Sequence, residues 1–225
     1  MMRLRILERL GGTASPVRKW VAKAWRRLVM RDLGGTDNHR GLDRLYALPD
    51  PWDMASAREQ SRFVQTNDLI LSLFGPVDTM LEVGCGEGHQ SAHLVQICRQ
   101  LDAIDVSATA VARAGERVPG IRAAAADLST LPWPLPATGR YDVVVACEVL
   151  YYMSDIPDAI DRMSRLGRHG LVTFFAPAAR VVAAHVEQLP GVRRGWIHHG
   201  GQAWLWAAWS APTDVSADGP IGPVI

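Results

Sequence analysis

The hydrophobic rhythm of the chain changes several times. Between residues 16 and 31, Val17, Trp20, Val21, Ala24, Trp25, Leu28 and Val29 recur at helical spacing, flanked by Arg18, Lys19, Lys23, Arg26 and Arg27. Ser15-Pro16 supplies an N-cap and a proline at the first helical position, and Gly34-Gly35 ends the element. This predicts a basic amphipathic helix. Residues 36–55 lose periodicity and hold turn residues such as Leu48-Pro49-Asp50-Pro51-Trp52. A second helix is predicted over 56–74, stopped by Gly75-Pro76.

From residue 80 the pattern alternates. Apolar runs at 80–83, 101–106, 121–126, 141–147 and 171–175 read as strands, and 89–99, 107–117, 156–166 and 178–189 read as helices. Segments 192–198 and 203–209 form a closing pair joined at Gly200-Gly201. Strands alternating with helices predict an α/β fold, a mostly parallel sheet with helices on both faces. The final pair, with no helix between, predicts one antiparallel edge strand. The expected division is a basic arm over 1–35, one domain over 36–210 (a cap at 36–75 and a core at 76–210) and a loose tail at 211–225.

Composition narrows the classes. The chain has 225 residues, 48% hydrophobic and 21% charged, which is ordinary for a globular protein. No apolar run approaches the ~20 residues that span a bilayer. Cys85, Cys98 and Cys147 form no CxxC pair, which argues against a disulfide framework or the usual zinc patterns and suits a reducing cytoplasm. The formal net charge of +1 conceals an asymmetry: residues 1–31 carry nine basic residues and one acid, leaving −7 on the remainder. That remainder is a poor surface for nucleic acid. The basic helix at 16–31 suits peripheral contact with a membrane surface, or a lid over the sheet.

The candidate chemistry lies in Leu81-Glu82-Val83-Gly84-Cys85-Gly86-Glu87-Gly88, a glycine-rich turn between a strand and a helix. Its third glycine comes one residue too early for a dinucleotide fingerprint, and its acids, Glu82 and Glu87, would repel a pyrophosphate. They suit a cationic ligand, and S-adenosylmethionine carries an ammonium and a sulfonium without phosphate. Asp105, Asp127 and Glu148 follow at intervals of 21 to 22 residues, each at or after a predicted strand end. In an open α/β sheet that is where ligands bind. Asp105 there can accept ribose hydroxyls, and Asp127 the adenine amino group, with Leu128 packed on the ring.

Through these motifs, with Ala103-Ile104-Asp105-Val106-Ser107 and Ala126-Asp127-Leu128, residues 75–176 resemble the class I S-adenosylmethionine-dependent methyltransferases. The resemblance implies a Rossmann-like, seven-stranded sheet whose last strand is antiparallel, and places Glu82, Gly84, Gly86, Gly88, Asp105, Val106, Asp127 and Leu128 around the cofactor. Asp50-Pro51-Trp52, Glu59-Gln60-Ser61-Arg62 and Cys147-Glu148-Val149-Leu150-Tyr151-Tyr152-Met153 are similar to the nodulation protein S branch. That likeness implies that Trp52 and Arg62 close over the cofactor, Arg62 on its methionine carboxylate, and that the acceptor is an amine of a sugar or sugar-like small molecule. Methylation of oxygen is the alternative, and a surface-binding protein with a degenerate cofactor fold is another. Glu148 and Tyr151 are the candidate catalytic residues, Glu148 as a base or as an orienting group. His89 and His93 stand one helical turn apart without an evident third ligand, so no metal is expected.

Overall fold

A computed structural model describes residues 36–211. The helix predicted at 16–31 and the tail beyond residue 211 lie outside them. Two cap helices come first: α1 (His39–Leu45) and α2 (Ala57–Phe74). The core follows as β1 (Val77–Val83), α3 (Ser91–Leu94), β2 (Cys98–Asp105), α4 (Ala108–Arg117), β3 (Arg122–Ala125), β4 (Tyr141–Cys147), α5 (Ile156–Leu166), β5 (Gly167–Phe175), α6 (Ala179–Val186), β6 (Arg193–His199) and β7 (Gln202–Ser210). No helix among the described residues is long and apolar enough to cross a membrane.

The seven strands lie in the order β3-β2-β1-β4-β5-β7-β6. The first five are parallel, and β7 runs antiparallel to both β5 and β6. The predicted antiparallel strand is therefore present but is not an edge. β7 enters between β5 and β6 because Trp204, Leu205, Ala207, Ala208 and Trp209 are buried and need covering on both sides. β6, with exposed Arg193, Arg194 and Trp196, tolerates the edge.

Alternation along β4 divides the core. Val144 and Ala146 pack with Ile160, Met163 and Val182 of α5 and α6, while Val143 and Val145 pack with Ile70 of α2 and Leu94 of α3. Gly170 on β5 leaves room for the Trp209 indole, whose Nε1 donates to Ser164 Oγ at 2.8 Å.

Two elements differ from the expectation. The helix predicted at 89–99 shrinks to one turn, because Cys98, Gln100 and Leu101 already pair with Val77, Thr79 and Met80. The segment expected to be irregular forms α1. Asn38 caps it by accepting from Gly41 N–H at 2.9 Å, and Leu45 is fully buried.

Candidate active site

The site begins where β1 ends. Gly84 N–H (2.7 Å) and Cys85 N–H (3.0 Å) donate to the Ile104 carbonyl, so the glycine turn is tied to β2. Gly84 has φ 72°, and a Cβ there would stand 2.4 Å from Val149 Cγ2, beyond β4. Only glycine accepts both the backbone angle and that contact. A Cβ on Gly86 would likewise stand 2.9 Å from the Tyr46 hydroxyl of the cap.

A cavity of about 940 Å³ opens over the carboxyl ends of the parallel strands, the size expected for a small-molecule site. Trp52, Arg62, Glu82, Gly84, Gly86, Asp105, Val106, Asp127, Leu128, Glu148 and Tyr151 all line it. Gly88 does not: it packs on α4, where a Cβ would stand 2.9 Å from Ala114 Cα. Ten carboxylates and three guanidiniums line the cavity, a balance that favours a cationic ligand.

The acids are held in different ways. The buried Asp105 carboxylate accepts from Gly86 N–H (2.8 Å) and Ser107 N–H (2.9 Å); burial raises its pKa against those two bonds. Asp127 is exposed and accepts from the Ser129 N–H (2.7 Å) and hydroxyl, and the hydroxyl bond is the main cause of its lowered pKa. Glu82 is buried with Ser91 Oγ–H donating at 2.5 Å, and burial pushes it up to about 7.

Glu148 takes a left-handed φ of 64°, unusual for a residue with a side chain. Its carboxylate accepts from Thr173 Oγ1 (3.0 Å), Phe175 N–H (2.9 Å) and Tyr151 Oη (3.2 Å). Burial raises its pKa, while Arg62, Thr173 and Tyr151 oppose the rise.

Arg62 is almost fully buried on α2. Its Nε donates to Glu59 Oε2 (2.8 Å) and its Nη1 to Gln90 Oε1 (3.1 Å). Burial alone would pull its pKa down, but the Glu148 and Glu59 carboxylates outweigh that and raise it. Trp52 Nε1–H donates to Tyr46 Oη (3.3 Å), and its ring lies 5.7 Å from that of Tyr152. Tyr46, Glu59 and Gln90 were not foreseen as site residues. Two of them carry a signal in the sequence: Glu59 stands in the Glu59-Gln60-Ser61-Arg62 stretch, and Gln90 lies two residues after the last glycine of the turn.

These features fit S-adenosylmethionine on their own terms: a glycine turn that brings the backbone to the cavity, a buried acid after β2, and a carboxylate-rich lining for a cation. With this strand order they define a class I S-adenosylmethionine-dependent methyltransferase. The family model for nodulation protein S (NodS) matches residues 35–201, and the chain belongs to that family. Nodulation protein S of Sinorhizobium fredii is 34% identical over 158 residues, covering 67% of this chain and 67% of that protein. The Bradyrhizobium diazoefficiens protein is 33% identical over 128 residues, covering 53% of this chain and 57% of its own length. The crystal structure of N-methyltransferase NodS from Bradyrhizobium japonicum in complex with S-adenosyl-L-homocysteine superposes with a TM-score of 0.65 at 28% identity, over 79% of this chain and 100% of that one.

Proposed function

We propose that this methyltransferase acts on a free amine of a sugar or sugar-like metabolite. The observation that carries the reading is the carboxylate-rich cavity with Glu148 at the end of β4. Most alkyl amines are cations at neutral pH, so such a lining attracts them and offers an acceptor for the proton they must lose. The NodS structure described as an N-methyltransferase supports nitrogen as the acceptor atom. Trp52, Phe175 and Trp204 add flat apolar surfaces on which a sugar ring can pack.

When bound, S-adenosylmethionine supplies an electrophilic methyl group on a sulfonium. In this reading Arg62 holds the methionine carboxylate, Asp105 the ribose hydroxyls and Asp127 the adenine amine. Gly84, Gly86 and Val106 shape the backbone wall, and Leu128 packs on the base. Glu148 takes the amine proton, and Tyr151 Oη fixes the carboxylate orientation. Trp52 and Tyr46 exclude water above the glycine turn. In this reading the protein works in the cytoplasm, and the basic, Trp-bearing pattern of residues 16–31 suits a structural or lid role, with peripheral contact to anionic lipid as the alternative.

The test is transfer of labelled methyl from S-adenosylmethionine to paired acceptors: amino sugars, their N-acetylated forms and amine-free sugars. Label on the free amines alone is expected. Label on the amine-free sugars would replace nitrogen by oxygen as the acceptor.

A further inference from the structure

We propose that Asp50, Glu87 and His89 bind one divalent transition-metal ion that clasps the cap to the glycine turn. Asp50 lies in the loop between α1 and α2, whereas Glu87 and His89 belong to the turn after β1. The fold brings them together across a gap that the sequence does not bridge. His89 Nε2 is buried, with its side chain only 9% exposed, and it has no hydrogen-bond partner. Leaving a ring nitrogen buried and unsatisfied is unfavourable. This nitrogen lies 3.9 Å from Asp50 Oδ1 and 3.8 Å from Glu87 Oε2, and the three ligand atoms all lie within 4.8 Å of one another.

Those separations are too long for hydrogen bonds but close to the spacing of ligands around one ion. Metal bonds of about 2.1 Å place neighbouring ligand atoms about 3.0–3.4 Å apart, so the two His89 separations need to contract by about half an ångström and the carboxylate pair, within 4.8 Å, by no more than about 1.4–1.8 Å, leaving the remaining coordination positions to water. Both carboxylates are already oriented. Asp50 accepts from Met54 N–H (2.6 Å) and Ala55 N–H (3.1 Å) and adopts φ 49°. Glu87 Oε2 accepts from Asp50 N–H (2.7 Å), while Arg113 donates to its other oxygen at 2.5 Å. Each oxygen keeps a second lone pair for an ion. One imidazole with two carboxylates and no thiolate selects zinc or manganese over calcium or magnesium, which favour all-oxygen shells. His93 takes no part: its Nε2 pairs with Gln60 Oε1 at 3.0 Å. The ion would hold the loop bearing Trp52 against the turn that lines the cavity.

Calorimetric titration of chelator-treated full-length protein with zinc chloride, and separately with manganese chloride, tests this. One equivalent is expected, weakened at least tenfold in both His89→Gln and Asp50→Asn. It should be unchanged in a His198→Ala, His199→Ala double variant, which removes the histidines of the β6–β7 turn. Circular dichroism in metal-free buffer confirms folding of each variant, and either folded single variant suffices. Absence of binding, or equal binding by a folded single variant, overturns the proposal. So does a structure solved with whichever of the two ions bound in the titration that shows water at this position. The readout is metal binding, so it does not depend on which acceptor the enzyme methylates.

Discussion

Replacing Glu82 with glutamine should shift the stability of the cofactor-free protein in favour of the variant as pH rises. The Glu82 carboxyl is 3% exposed and accepts from Ser91 Oγ. Burial lifts its pKa from 4.5 to about 7; the Ser91 bond and Arg62 oppose the rise and Asp105 adds to it. The folded chain therefore keeps a proton that the unfolded chain releases near pH 4.5. Between these values the folded state binds more protons, so stability falls as pH rises, and above about pH 7 the whole loss is in place. At about 1.4 kcal/mol per tenfold change, the total is about 3 kcal/mol, of which about 2–3 kcal/mol develops between pH 5 and pH 8.5. Glutamine has no proton to release. It buries an amide that needs an acceptor, a cost of about 1–3 kcal/mol that does not vary with pH. The variant-minus-wild-type difference isolates the titration. Thermal melts without cofactor at pH 5, 6, 7 and 8.5 should show it as a relative gain of about 5–10 °C for a domain of this size. A difference that stays flat across this range would refute the reasoning.

Asp105→Asn should weaken S-adenosylhomocysteine about 10- to 100-fold by calorimetry, because a charge-assisted hydrogen bond is worth about 1.5–3 kcal/mol; undiminished affinity would remove Asp105 from the cofactor site. Gly84→Ala should cost about 2–4 kcal/mol in urea unfolding, since it combines φ 72° with a Cβ 2.4 Å from Val149 Cγ2. Val149→Ala in the same chain should restore part of that loss. Glu148→Gln should lower kcat toward an amine about 10²-fold or more at neutral pH, with S-adenosylhomocysteine affinity within a few-fold of wild type. Recovery of the rate at alkaline pH, where the amine loses its proton unaided, would support a proton-accepting role.

The parallel core was legible because its strands are local apolar runs. Segment 141–147 is a strand in both readings, and the glycine turn sits where its spacing placed it. What escaped depends on contacts distant in sequence. The 98–100 segment has polar Arg99 and Gln100 and looks helical or irregular alone; pairing with β1 extends it. α1 has a weak pattern and is held by a cap at Asn38 and by Ser107 Oγ–H donating to Asp43 at 2.6 Å. Gly88 belongs to the turn by spacing, yet faces Ala114 rather than the cavity, because side chain-free backbone there lets α4 approach. The acids at the strand ends were legible as a set because strand ends recur in register. Their separate hydrogen bonds were not, since each donor lies on another element.

Those donors explain how so many carboxylates share one cavity. Glu87 has Arg113, Asp127 has Ser129, and Glu59 has Arg58 and Arg62. Asp105 is met by two backbone amides, and Glu148 by an amide and two hydroxyls. Glu82 is deeper than most and has one hydroxyl. Glu82, with the fewest hydrogen-bond donors of these six, is the one whose pKa burial lifts to about 7. A cationic ligand beside it favours ionisation, so its binding must release a proton wherever Glu82 is still protonated in the free protein. At pH 6, S-adenosylmethionine binding should release a fraction of a proton into the buffer, and at pH 8.5 almost none. Titrations in two buffers of different ionisation enthalpy measure that difference, and equal proton release by Glu82→Gln would locate the titrating group elsewhere.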